Sequence, residues 1–251
     1  MSEKKVYGTV LLRAKAILDE LLDSEEGLTL KEISERVKES KSTTLKVINT
    51  MQLTGMIRRN EADKHYFIGP AMLAYGEKAR KDFNLIQITK PYLTELQKVT
   101  NETVNLGIED KAKIVFLEKL ESTQAIHLNS SIGGSMDMYS SAMGKAVLST
   151  KSADELQHYF ATHELTALTK NTITDEKKLM QQFEQIRKQG FSEEWGENQD
   201  EVVCVGASIV KRGVTLGAFS VSIPEYRVDK ETFEDIKRLV FSTKKQIEEV
   251  L

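Results

Sequence analysis

An α+β architecture in two parts is what the sequence predicts, and three observations carry that prediction. Apolar residues recur at helical spacing through most of positions 9–51. Two short β-rich runs then flank a polar loop, and two long ones, 202–210 and 214–223, precede a final helical stretch. With 251 residues, 40% hydrophobic, 29% charged and only 3 Pro, the chain can bury one large core or two modest ones. That composition excludes collagen-like, low-complexity and largely disordered classes.

Leu11, Ala14, Leu18 and Leu21 place a first helix over 9–22, with Gly27 as its stop. Thr29-Leu30-Lys31-Glu32 fits a capping box for a short second helix ending near Val37. The small polar residues 40–44 open a third helix that carries Leu45, Ile48 and Met51 inward, turns Thr43, Thr44, Lys46 and Val47 outward, and stops at Gly55. Residues 56–59 and 65–68 read as a hairpin around the polar stretch 60–64. Pro70 suits the first turn of a fourth helix, whose charged tail, 77–82, suits a solvated connector.

Beyond it the pattern predicts a helix at 85–99 and short strands at 103–108, 113–120 and 125–128. Helices follow at 142–149, 152–161 and 175–189, the last closed by Gly190; the two long strands are joined by Lys211-Arg212-Gly213, and a terminal helix spans 230–250. The division is therefore a first domain at 1–70, a connector helix at 71–84 and a second domain at 85–251, built on an antiparallel sheet.

Net charge is only −3, which on average disfavours a nucleic-acid partner, but the charge is uneven. Positions 19–26 hold five acids and no base, whereas 36–59 hold six bases (Arg36, Lys38, Lys41, Lys46, Arg58, Arg59) and the single acid Glu39. A local excess of about +5 can hold phosphates. In a helix-turn-helix the second helix enters the major groove, where Lys41, Ser42, Thr43, Thr44 and Lys46 are placed to reach phosphates and base edges. Arg58 and Arg59, with Lys64 and His65, extend the surface onto a wing. Taken alone, the Ser/Thr cluster is an ordinary cap and the bases a solvated face. Their order along some 80 residues favours double-stranded DNA as partner over a protein–protein adaptor.

The single Cys204 and four scattered histidines offer no zinc pattern, so neither metal nor cofactor is expected; His158 and His163, five residues apart, are assigned to the surface. No leader or membrane-length apolar run is present, so a cytoplasmic protein is expected. Ser140-Ser141-Ala142-Met143-Gly144-Lys145-Ala146 puts hydroxyls and a glycine at a helix start, which suits a small anion as well as an ordinary capped helix. It is not a P-loop, because Tyr139 and Ala146 stand where a Gly and a Ser/Thr are needed. Ser220 and Ser222 share a strand face, and Cys204 can join them in a pocket if the strands pair; a buried apolar role for the thiol is the alternative. No base pattern accompanies Cys204, so no enzyme is expected.

Five segments resemble the IclR-type (isocitrate lyase regulator) bacterial transcription regulators, and the resemblance spans essentially the whole chain. They are VLLRAKAIL at 10–18, Lys41-Ser42-Thr43-Thr44 with Lys46, SSAMGKAVLS at 140–149, NTITD at 171–175 and EVVCVGASIV at 201–210. The resemblance implies a winged helix-turn-helix, a GAF-like sensor domain and a homodimer or tetramer. It also implies a small organic acid effector bound through Ala142, Met143, Glu194, Cys204, Ser220 and Ser222, with Gly144 beside them. Lys46 stands where the family carries an Arg, and Lys38-Glu39 replaces its turn glycine. Asp137 replaces a Pro at the expected pocket rim, which points toward a sugar-derived keto acid rather than a bare two- or three-carbon anion. The expectation is a ligand-responsive repressor. The competing expectation is a cysteine-dependent hydrolase with an appended winged-helix module.

Overall fold

Capping chemistry sets the first helices. α1 (Thr9–Leu22) is followed by α2 (Leu30–Arg36), where Glu32 N donates to Thr29 Oγ1 at 3.3 Å and Thr29 N donates to Glu32 Oε2 at 2.8 Å, closing the expected box. Lys38 makes the turn into α3 (Lys41–Leu53) with φ 55°, a left-handed conformation that glycine adopts without strain. Gly55, at φ 71°, ends α3, and Met56 N donates to Met51 O at 2.9 Å. β1 (Ile57–Arg59) and β2 (Tyr66–Ile68) pair antiparallel, Ile57 opposite Ile68. α4 (Ala71–Asp82) follows.

Three details differ from the sequence pattern. α1 ends at Leu22, five residues before Gly27, and its inward residues are Ile17 and Leu21, leaving Leu11 73% exposed. In α3 the buried face is Thr44, Val47, Ile48 and Met51, while Leu45 points outward. Thr44 shares the core face because 44, 47, 48 and 51 follow the i, i+3, i+4, i+7 spacing, and its hydroxyl is satisfied by Ser40 O at 3.1 Å.

The computed structural model describes residues 8–82, 84–124 and 130–251, and contacts divide the chain into two units, Met1–Asp82 and Phe83–Leu251. The strand expected at 125–128 lies outside the described residues. In the second unit α5 (Asn84–Thr100), β3 (Thr103–Asp110), β4 (Lys113–Leu120), β5 (Ser135–Asp137), α6 (Ala142–Leu148), α7 (Ala153–Thr162) and α8 (Glu176–Gln189) precede β6 (Ser192–Trp195), β7 (Val202–Lys211), β8 (Val214–Pro224) and α9 (Lys230–Val250). The six strands form one antiparallel sheet in the order β5-β4-β3-β8-β7-β6.

Helices cover both faces of this sheet. Val203, Val205, Ala207 and Ile209 alternate onto the side packed by α5 and α9, and a second apolar cluster joins α6, α7 and α8 to the other side. Gly190 (φ 83°) stops α8 as expected, and Arg212 and Gly213, both at positive φ, make the tight turn from β7 to β8. β5, three residues long, and β6, Ser-Glu-Glu-Trp, are too short or too polar to signal a strand and were not predicted. Among the described residues no helix is long and apolar enough to cross a membrane.

Candidate functional site

The first unit presents one face of α3 and the adjoining hairpin. Lys41, Ser42 and Lys46 are exposed on α3, as are Arg58 and Arg59 on β1. None of the four cations takes part in an ion pair among the described residues, whereas Arg13 meets Glu39, Arg36 meets Glu20 and Lys64 meets Glu61. Arg58 lies 4.5 Å above the Phe67 ring and Arg59 5.5 Å from that of Tyr66, which orders both guanidiniums on the strand. Ser40 Oγ caps the helix from Thr43 N and lies 2.9 Å from Thr43 Oγ1, so Thr43 is half-committed to the cap. Thr44, expected at the DNA surface, is 2% exposed and turned into the core, so it is removed from the set of contacts. Leu45 and Asn49 take the outward positions instead.

Strand register builds the second site. Glu194 pairs with Cys204, Cys204 with Ser222 and Ser222 with Thr103, in one row across β6, β7, β8 and β3; Ser192, Gly206, Ser220 and Asn105 form the next row. Residues two apart point to the same face, so both rows face α6. The N-terminal turn of α6 sits close because Gly206 has no side chain: a Cβ there would lie 2.9 Å from the Ala142 carbonyl carbon. Ser192 Oγ fixes the approach by donating to Ala142 O at 2.6 Å.

A cavity of about 50 Å³ results, about 500 Å³ with its open mouth. The enclosed part holds a few waters at about 10–15 Å³ each. Six of the expected residues, Ala142, Met143, Glu194, Cys204, Ser220 and Ser222, line it together. Gly144 does not: it packs on the backbone of Met138, where a Cβ would approach the Cα to 2.2 Å. Asp137 is also off the wall, paired with Lys113 at 2.9 Å, so the argument from a rim carboxylate falls. His163, assigned to the surface, is half-buried and stacks on Tyr159 at 4.7 Å.

Ser141, whose hydroxyl the helix-start reading had offered to an anion, lines the cavity too, and sequence reasoning missed the other polar lining residues: Asn105, Ser130, Asn198 and Gln199. Asn105 Oδ1 accepts from Ser130 Oγ at 3.0 Å, and its Nδ2 donates to Ser222 Oγ at 3.4 Å. Only the strand pairing of β3 with β8 brings Asn105 there. Missed too was Lys145, wholly buried, whose Nζ lies 2.6 Å from Glu197 Oε1. Thr172 Oγ1 donates to Glu197 O at 2.6 Å, so the 171–175 segment holds the turn after β6.

Electrostatically the pocket is ruled by one carboxyl. Glu194 is 2% exposed, and burial pushes its pKa up to about 7 against the backbone amides of Glu197 and Asn198, which both donate to Oε1. Burial, then the nearby Glu194 charge, pushes the Cys204 thiol well above its ordinary range, and Sγ donates to Ser222 Oγ at 3.2 Å. No Lys, Arg or His lines the cavity among the described residues.

Residues 77–249 match the family described as bacterial transcriptional regulator IclR C-terminal, and residues 10–61 match the IclR helix-turn-helix domain. The HTH-type transcriptional regulator KdgR of Escherichia coli (strain K12) is 28% identical over 227 residues, 90% of this chain and 86% of that protein. The crystal structure of the Thermotoga maritima IclR aligns with a TM-score of 0.81 at 30% identity, covering 97% of this chain and 98% of that one. An IclR homolog from Microbacterium hydrocarbonoxydans, crystallised with 4-hydroxybenzoate, shares the fold at a TM-score of 0.81 and 19% identity, covering 96% and 98%.

Proposed function

The chain belongs to the IclR family of bacterial transcriptional regulators, and from that premise we propose that it is a cytoplasmic repressor whose grip on operator DNA is altered by a small organic acid. α3 enters the major groove with Lys41, Ser42, Lys46 and the cap residue Thr43, and Arg58 and Arg59 reach neighbouring phosphates or the minor groove. The observation that carries this reading is the set of four exposed cations on α3 and the wing, none of them in an ion pair among the described residues. A homodimer or tetramer reads a two-fold symmetric operator, and the exposed Val10, Leu11 and Leu12 on α1 supply apolar surface for a second copy.

Lys46→Ala and Arg58→Ala are each expected to weaken binding to DNA from upstream of the protein's own gene and to reduce the slope of log affinity against log salt by about 1. Fluorescence anisotropy across a salt series measures both; an unchanged slope removes the residue from the interface.

The acid sits against Ala142, Met143, Glu194, Cys204, Ser220 and Ser222, its oxygens accepting from the serine hydroxyls. The 4-hydroxybenzoate held by the Microbacterium homolog supports a carboxylate ligand. Asn105, Ser130, Asn198 and Gln199 add amides and hydroxyls suited to a hydroxylated chain, so a sugar-derived keto acid such as keto-deoxy-gluconate is favoured over pyruvate. Calorimetry is expected to show tighter binding of the sugar acid, and tighter pyruvate binding rejects that preference. A hydrolase finds no support in a half-buried thiol whose pKa is pushed up, without a histidine in the described wall.

A further inference from the structure

We propose that a carboxylate effector enters this site together with one proton, which Glu194 carries on Oε2. The inference rests on reading the cavity as the effector site. Glu194 Oε1 is occupied by the amides of Glu197 and Asn198, which leaves the other oxygen to hold the proton.

Among the described residues, the charges around Glu194 leave an incoming anion no counter-ion. From β7 it is faced by the Cys204 thiol, and from β8 by the hydroxyl of Ser222 beyond it. From α6 the nearest cation is Lys145, already committed to Glu197 at 2.6 Å and to Gln182 of α8 at 3.3 Å. The turn after β6 contributes Glu197, a second acid, and Glu193 alternates to the opposite face of the sheet, where Lys237 of α9 lies 3.5 Å away. The wall offers an anion hydroxyls and amides, yet sets one buried carboxyl against it. Two unscreened carboxylates in so small a space repel strongly, and proton uptake by the residue already disposed to it by burial relieves the repulsion. Binding therefore draws a proton wherever free Glu194 is ionised, and the affinity for the anion falls as pH rises above neutrality.

Titration calorimetry of the full chain with pyruvate and with keto-deoxy-gluconate, at about pH 8 in phosphate and in Tris, reads the proton directly from the dependence of the heat on buffer. The expected result is an uptake approaching one proton, an affinity nearly constant below about pH 6 and falling about tenfold per unit above about pH 7.5. Glu194→Gln keeps an acceptor for the two amides and is expected to bind with neither buffer nor pH dependence. A buffer-independent heat in the wild type overturns the inference whatever the variant does, and so does uptake that survives in Glu194→Gln. If neither acid binds even at about pH 6, the inference and the effector-site reading fall together. A parallel DNA-binding assay separates the remaining cases. Binding without uptake that still alters DNA binding sinks the inference alone. Uptake without any effect on DNA binding supports the inference and sinks the regulatory reading.

Discussion

Lys145→Met is expected to destabilise the second unit by about 3–5 kcal/mol, the cost of leaving a buried acid without its partner. Lys145 is 0% exposed, and Glu197, at 4%, has its Oε2 buried without a hydrogen-bond partner, so the ammonium at Oε1 is its main compensation. Burial already raises the Glu197 pKa against the lysine's opposing pull, and removing the lysine raises it further. A folded-state pKa above the unfolded value means that the folded protein holds the extra proton. Stability is then lost as pH rises above the unfolded carboxylate range, so the deficit is larger at pH 8 than at pH 5. Urea unfolding at the two pH values measures this, and Lys145→Met combined with Glu197→Gln is expected to recover most of it. A pH-independent loss, or no recovery in the double variant, contradicts the assignment.

Gly144→Ala is expected to cost about 3 kcal/mol, although alanine favours a helix over glycine by about 1 kcal/mol. The added methyl would stand 2.2 Å from Met138 Cα and 2.3 Å from Met138 O, and no rotamer change can clear backbone atoms. Either α6 shifts, carrying Ala142 and Met143 with it, or the strand end at Met138 does. Gly76→Ala on α4, where nothing lies within 4 Å, serves as the control and is expected to stabilise by about 0.5–1 kcal/mol. Thermal melts compare the two; equal and small effects would show that the α6 contact yields easily.

The elements whose periodicity is strong were legible from the residues alone. The capping box of α2, the glycine stops after α3 and α8, and the paired strands β7 and β8 all stand where spacing placed them. What failed depended on identity overriding position. Leu45 was turned inward because it is apolar, yet 45, 48 and 51 drift around the helix, while 44, 47, 48 and 51 do not. Lys145 reads as a solvated residue until the fold supplies Glu197. β6, with the sequence Ser-Glu-Glu-Trp, carries no strand signal of its own and exists because β7 offers it a partner. Glu194 was reached through family resemblance, whereas Asn105 and Ser130 needed the pairing of strands distant in sequence.

The stretch between α7 and α8 has no regular structure and the look of a spare connection. Yet Thr169 donates to Gly196 O at 2.5 Å and Thr172 to Glu197 O, gripping the same turn whose amides hold Glu194. It works as a brace for the wall of the cavity that Glu194 lines. An insertion there would loosen that turn, whereas the exposed Arg212-Gly213 bend is the better place to lengthen this scaffold.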